Sequence, residues 1–148
     1  MIAIGADHGG YKLKEEIKKY LEEKEIKYKD FGTYDDERTD FPIYAEKVCK
    51  SIQNKECDRG ILLCTTGSGM QIVANKFKGI RCVACSNEEY AKQAKEHLNA
   101  NVIALPAGHI NISEAVAMVR AWIGSEYLQG RYNERLNLIE KIEKENMK

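Results

Sequence analysis

The chain has 148 residues, enough for one domain with a sizeable buried core, and its 23 basic side chains balance 23 acidic ones. A net charge of zero sets up no global field to draw in nucleic acid or an anionic membrane, so a small ligand held locally is the expected partner. Met1 leads into Ile2, Ala3, Ile4 and a glycine without a basic segment, no apolar run reaches membrane-spanning length, and the five cysteines are odd in number. A soluble, cytoplasmic protein with reduced thiols is expected.

Short apolar runs alternate with longer amphipathic ones, the pattern of parallel strands joined by sheet-covering helices. Residues 2–5 read as the first strand, 11–23 as the first helix and 26–31 as the second strand. Pro42 opens the second helix behind Asp40, where a first-turn proline forfeits no hydrogen bond. Residues 60–64 are a central strand, followed by the turn 65–69 and a helix through Asn75. Residues 81–85 form the fourth strand, Ser86 caps a helix ending near His97, and 101–105 form the fifth strand before a helix over 113–123. No linker, repeat or low-complexity tract divides the chain, so residues 1–148 are expected to be a single α/β domain with a five-stranded parallel sheet. The segment 131–144 is highly charged, yet Leu136, Ile139 and Ile142 recur at helical spacing. That narrow stripe fits packing on a partner subunit or on its own domain.

In open parallel sheets, ligands bind beyond the carboxyl ends of the strands, and the residues around the strand ends are unusually polar here. The first turn, from Gly5 to Lys12, has P-loop glycine spacing but no Lys-Ser or Lys-Thr after its last glycine, which argues against a nucleoside triphosphate. Asp7 reads equally as a helix cap or a functional carboxylate, and His8 beside it favours function, since histidine holds anions and relays protons. In the third turn, Gly67, Ser68 and Gly69 open a helix and offer backbone N–H groups to an anion or oxyanion. Ile72 occupies the place of the third glycine in a dinucleotide fingerprint, which disfavours NAD.

Cys64 ends the central strand beside that helix start, where the local positive potential is expected to lower its thiol pKa and make it a better base. A buried packing cysteine is the equally weighted alternative. Cys82 and Cys85 lie along a strand and are expected to pack. His97 ends a helix, Asn99 and Asn101 suit a turn, and Gly108 and His109 follow the fifth strand. Arg131 and Arg135, four apart, share a helix face and fit either a phosphate grip or a solvated surface.

Taken in order, these motifs resemble the type B ribose-5-phosphate isomerase family, which also includes galactose-6-phosphate isomerase subunits and enzymes acting on allose 6-phosphate. The carriers are Gly5-Ala6-Asp7-His8-Gly9-Gly10, Arg38-Thr39-Asp40-Phe41-Pro42, Cys64-Thr65-Thr66-Gly67-Ser68-Gly69, His97-Leu98-Asn99-Ala100-Asn101 and Gly130-Arg131 with Arg135. The resemblance covers nearly the whole chain. It implies a Rossmann-like three-layer αβα sandwich and a homodimer, sometimes paired into tetramers, with active sites at the subunit interface and the C-terminal helix packed on the partner. It implies no metal and no organic cofactor.

By the same resemblance, Cys64 moves a proton between C1 and C2 of a sugar phosphate through an enediolate, with the amides of Gly67, Ser68 and Gly69 holding the oxyanion. His97 and Thr66 open the furanose ring, and Asp7 contacts sugar hydroxyls. Tyr44 and Asn99 belong to the substrate pocket, and His8, Arg131 and Arg135 bind phosphate, the arginines reaching over from the partner. One family branch uses a glutamate as base where Met70 stands here, which supports the cysteine branch. Many relatives carry arginine where this chain has His109, so sugar length is less defined than reaction type. The leading expectation is interconversion of ribose 5-phosphate and ribulose 5-phosphate. The alternatives are a six-carbon substrate, such as allose 6-phosphate or galactose 6-phosphate, and a silent phosphosugar-binding protein.

Overall fold

The computed structural model describes residues 1–147. Five strands, β1 (Ile2–Ala6), β2 (Tyr28–Asp30), β3 (Arg59–Cys64), β4 (Cys82–Ala84) and β5 (Val102–Pro106), alternate with helices. The helices are α1 (Tyr11–Glu23), α2 (Phe41–Gln53), α3 (Ser68–Ala74), α4 (Glu88–Glu96), α5 (Ile112–Gly124) and α6 (Tyr132–Asn146). All strand pairs are parallel, in the order β2-β1-β3-β5-β4. The chain therefore reverses its winding direction between β1 and β3, the crevice where open α/β sheets place ligands.

Alternation along the central strands divides the interior into two cores. Ile2, Ile4, Ile61, Leu63, Ile103 and Leu105 point to one face, where Ile17, Leu21 and Trp122 from α1 and α5 cover them. Ala3, Leu62, Cys64, Val102 and Ala104 point to the other, against Val48, Cys49 and Met70 from α2 and α3. This period-two division buries both faces and gives the expected three layers.

The two edge strands are shorter than the sequence pattern predicts, at three residues each. With a neighbour on one side only, their ends lack ladder partners. The cap of α4 is Asn87, not Ser86: its side chain accepts the Tyr90 N–H at 2.8 Å. The helix after β5 starts one residue early because Asn111 and Glu114 form a reciprocal capping box. In α6 only Tyr132 is buried, while Leu138, Ile139 and Ile142 of the apolar side remain exposed. None of the described helices is long and apolar enough to cross a membrane.

Candidate active site

The strand order sets the tips of β1, β3 and β5 side by side. Asp7 N–H donates to the Leu63 carbonyl at 3.3 Å, and Gly108 N–H donates to the Thr65 carbonyl at 3.0 Å. Gly9 and Gly108 both press on Thr65: a Cβ on either would come within 2.6 and 2.7 Å of its side chain. Glycine at both places lets three turns close around one point.

At that point Cys64 is 5% exposed. Its sulfur accepts the Gly67 N–H at 3.2 Å. Gly67 has φ +77°, a left-handed conformation that turns the chain sharply enough to aim its amide back at the strand end. Cys64 belongs to the apolar core by its Cβ side, yet Thr65, Thr66 and Ser68 are exposed, so the turn around the sulfur opens to solvent. The other four cysteines are buried and free. Burial pushes the Cys49 and Cys85 thiols up to about 12 and raises those of Cys57 and Cys82. Cys82 and Cys85 thus pack as expected.

Asp7 is nearly buried, and its carboxylate accepts the Gly10 N–H at 3.1 Å, three residues on. Asp7 is therefore not the helix cap, since Gly10 is the N-cap of α1 and has no side-chain cap; one carboxylate oxygen instead closes the turn before the helix. His8 is exposed, and its Nδ1 lies 3.2 Å from the Thr39 N–H and 3.1 Å from the Thr39 carbonyl oxygen, accepting from the one or donating to the other according to the tautomer. Thr39 Oγ1 lies 2.9 Å from the Tyr44 hydroxyl, so one threonine ties His8 and Tyr44 together. His109 is exposed just beyond β5.

The loop that delivers Thr39 is anchored from below. Ala6 N–H donates to the Gly32 carbonyl at 2.8 Å and Thr33 N–H donates to the Ala6 carbonyl at 2.7 Å. Asp30 receives the Gly32 N–H at 2.9 Å, the fully buried Lys14 at 2.6 Å and Lys18 at 3.0 Å. Burial alone would raise the Asp30 carboxyl, but these donors outweigh it and hold it below the usual carboxylate range. Thr39 entered the sequence reading only within the motif Arg38-Thr39-Asp40-Phe41-Pro42, while Lys14 and Asp30 escaped it, since a lysine on a charged helix normally signals solvent.

A second group lies elsewhere. His97 caps the C-terminal end of α4 and Asn99 follows it, both before β5, so they sit at the amino end of the sheet. Five residues of strand put roughly 16 Å between that end and Cys64. Within one chain His97 and Thr66 are not brought together. His97 stacks instead on Tyr132, and the guanidinium groups of Arg131 and Arg135 lie over the same ring. Hydrogen bonding to Tyr132 raises the Arg131 pKa further above its usual value. Arg81 Nε and Nη2 clamp the Asn99 carbonyl at 3.0 and 2.9 Å, holding the turn after His97.

The chain thus carries a thiol with an amide donor, a carboxylate and a histidine at one end, and a histidine with two arginines at the other. Among the described residues no three His, Cys, Asp or Glu side chains converge to hold a metal ion.

A family model described as Ribose/Galactose Isomerase matches residues 2–139. The chain is 42% identical to ribose-5-phosphate isomerase B of Escherichia coli K12, over 96% of this chain and 95% of that protein. The fold superposes on ribose-5-phosphate isomerase B of Clostridium thermocellum with a TM-score of 0.95 and 41% identity, covering 97% of each chain. It also superposes on the Mycoplasma genitalium enzyme with bound ribulose-5-phosphate, with a TM-score of 0.93 and 35% identity, covering 98% of this chain and 97% of the other. By sequence and by fold, the chain belongs to the ribose/galactose isomerase family.

Proposed function

We propose that residues 1–148 act as one isomerase domain interconverting ribose 5-phosphate and ribulose 5-phosphate, with Cys64 as the base. The observation that carries this reading is the Gly67 N–H aimed at the Cys64 sulfur at 3.2 Å, in a chain that shares its family with ribose-5-phosphate isomerases. A donor fixed on the sulfur holds it facing the turn whose amides would take up the charge of the intermediate.

In this mechanism the sulfur takes the C2 proton of the open-chain aldose, the electron pair forms the C1–C2 double bond, and the charge moves to the oxygen on C1. The thiol, in exchange with solvent protons, then delivers a proton to C1 while the C2 hydroxyl proton passes to the C1 oxygen, which leaves the carbonyl at C2 and completes the ketose. The amides of the turn stabilise the oxyanion. In the unliganded chain two of them are engaged, Gly67 with the sulfur and Ser68 with Thr66 Oγ1 at 3.2 Å. Substrate therefore completes the oxyanion site by drawing the Thr66 hydroxyl away from the Ser68 N–H. Asp7, with one oxygen still available, meets the sugar hydroxyls, and His8 presents Nε2 to the phosphate, with His109 beside the same opening.

The sheet-length gap between the two groups supports a homodimer in which His97, Arg131 and Arg135 of the partner subunit face Cys64. Ring opening then pairs Thr66 with the partner's His97, and phosphate binding pairs His8 with two arginines. The exposed apolar side of α6 supplies surface for such a contact. Five unpaired thiols support a reducing compartment such as the cytoplasm.

The test is a substrate panel followed by NMR in deuterated water. Deuterium should appear at C1 of ribulose 5-phosphate as it forms and, on reversal, at C2 of ribose 5-phosphate. Turnover of allose or galactose 6-phosphate alone would assign a six-carbon substrate, and binding without exchange would make the chain a phosphosugar-binding protein.

A further inference from the structure

Tyr132 touches three members of the second group and has no part in the chemistry above. It opens α6 and is the residue that anchors this helix, at 9% exposure. Its ring lies almost flat on the His97 imidazole, with centroids 4.6 Å apart and planes inclined by 11°. The guanidinium carbons of Arg131 and Arg135 lie 5.1 and 5.8 Å from the same ring centroid. Arg131 Nη2 also donates to the Tyr132 hydroxyl at 3.1 Å. The preceding turn is fixed as well, because Leu128 N–H donates to the Glu96 carbonyl at 3.0 Å and so ties the approach to α6 onto the end of α4.

Each contact restricts a motion that a reaction could not tolerate. A stacked imidazole cannot swing about its Cβ–Cγ bond without losing the face-to-face contact. Two guanidinium groups four residues apart repel each other, and the negative face of an aromatic ring offsets that repulsion while holding both nearby. An aliphatic side chain of similar size would fill the space and supply neither effect.

We propose that Tyr132 is a positioning residue for the isomerisation: one ring orients the His97 imidazole and sets the spacing of Arg131 and Arg135 before substrate arrives. This rests on the reading that those three side chains meet the substrate. Loss of the ring should act on kcat through His97 and on KM through the arginines. Tyr132→Phe keeps the stack and both cation contacts and loses only the acceptor for Arg131.

The experiment compares Tyr132→Leu and Tyr132→Phe by steady-state kinetics and by NMR of the imidazole protons. The chain has three histidines, so the His97 signals are assigned by their loss in His97→Asn. In the wild type and in Tyr132→Phe those signals should lie upfield through the ring current of residue 132, and in Tyr132→Leu they should return to ordinary positions. Tyr132→Leu should lower kcat/KM about tenfold or more, in both parameters, while Tyr132→Phe stays within about threefold of wild type. Wild-type kinetics in Tyr132→Leu would overturn the proposal, as would equal losses in both variants with the His97 signals unmoved. If Tyr132→Leu does not fold, the wild-type spectrum decides, since ordinary His97 positions there exclude the stack. Full activity in His97→Asn would overturn the site reading itself, whereas an inactive His97→Asn beside a fully active Tyr132→Leu would overturn the role of Tyr132 alone.

Discussion

The amide of Gly67 and the sulfur of Cys64 face each other at 3.2 Å across the tip of β3, although their residues belong to a helix cap and a strand. The strand carries the sulfur to the sheet edge and the left-handed glycine turns the first donor of the next helix back on it. Cys64→Ala removes the thiol, the proposed base, and leaves the proposed phosphate contacts in place. Initial rates should show kcat falling by about 10²–10⁴-fold with KM changed only a few-fold. Undiminished turnover would remove Cys64 from the mechanism.

Gly67→Ala attacks the same relationship from the other side. At φ +77° an alanine costs about 1–2 kcal/mol, and its Cβ would meet the Leu105 carbonyl carbon at 3.2 Å. Thermal unfolding should show that loss, and kcat should fall further than the stability change explains because the amide swings off the sulfur. A destabilised variant with wild-type kcat would separate the donor from catalysis.

Subunit mixing tests the pairing of the two groups. In the proposed homodimer, Cys64→Ala and His97→Asn each inactivate a different half of the site, so a hybrid dimer would carry one doubly altered site and one intact site. Equal mixing after dissociation should restore about one quarter of wild-type activity, the share expected for two-fold symmetric sites. A mixture that stays inactive would place Cys64 and His97 of the same chain in one site.

The Lys14–Asp30 pair supports the loop that brings Thr39 to His8. Because its donors hold the folded Asp30 carboxyl below the unfolded value of about 3.9, its contribution is complete above that pH and is lost as pH falls through the folded pKa. Lys14→Ala leaves a buried carboxylate short of a partner and should cost about 3 kcal/mol in urea unfolding near neutral pH. The difference from wild type should narrow in acid. Equal stability of the two proteins at pH 7 would show that Lys18 alone suffices.

Strand and helix positions were legible because the central strands are apolar on both faces, a pattern that survives even without strict alternation. The cap of α4 was misplaced by one residue, since Ser86 and Asn87 are both good caps and only geometry chooses between them. The carboxyl-end residues Asp7, His8, Cys64 and Thr66 were legible from their places after strands. His97 and Asn99 were legible as polar residues around a turn, but their opposite end of the sheet follows from their preceding β5, and the separation becomes plain only when β3 and β5 lie side by side. Tyr132 went unread because an aromatic residue between two arginines on a charged helix carries no periodic signal. Its meaning comes from α4, 35 residues earlier by the difference between 132 and 97.

Helix α6 touches its own subunit through little more than Tyr132 and scattered polar ties such as Glu143 to the Gly79 amide. In the proposed homodimer the partner would cover Leu138, Ile139 and Ile142, which are exposed in the single chain. Dilution should therefore loosen α6 beyond the Tyr132 anchor while the sheet stays folded, and proteases should cut around Leu138, Ile139 and Ile142 first. Catalytic competence and resistance to digestion would then rise together with protein concentration.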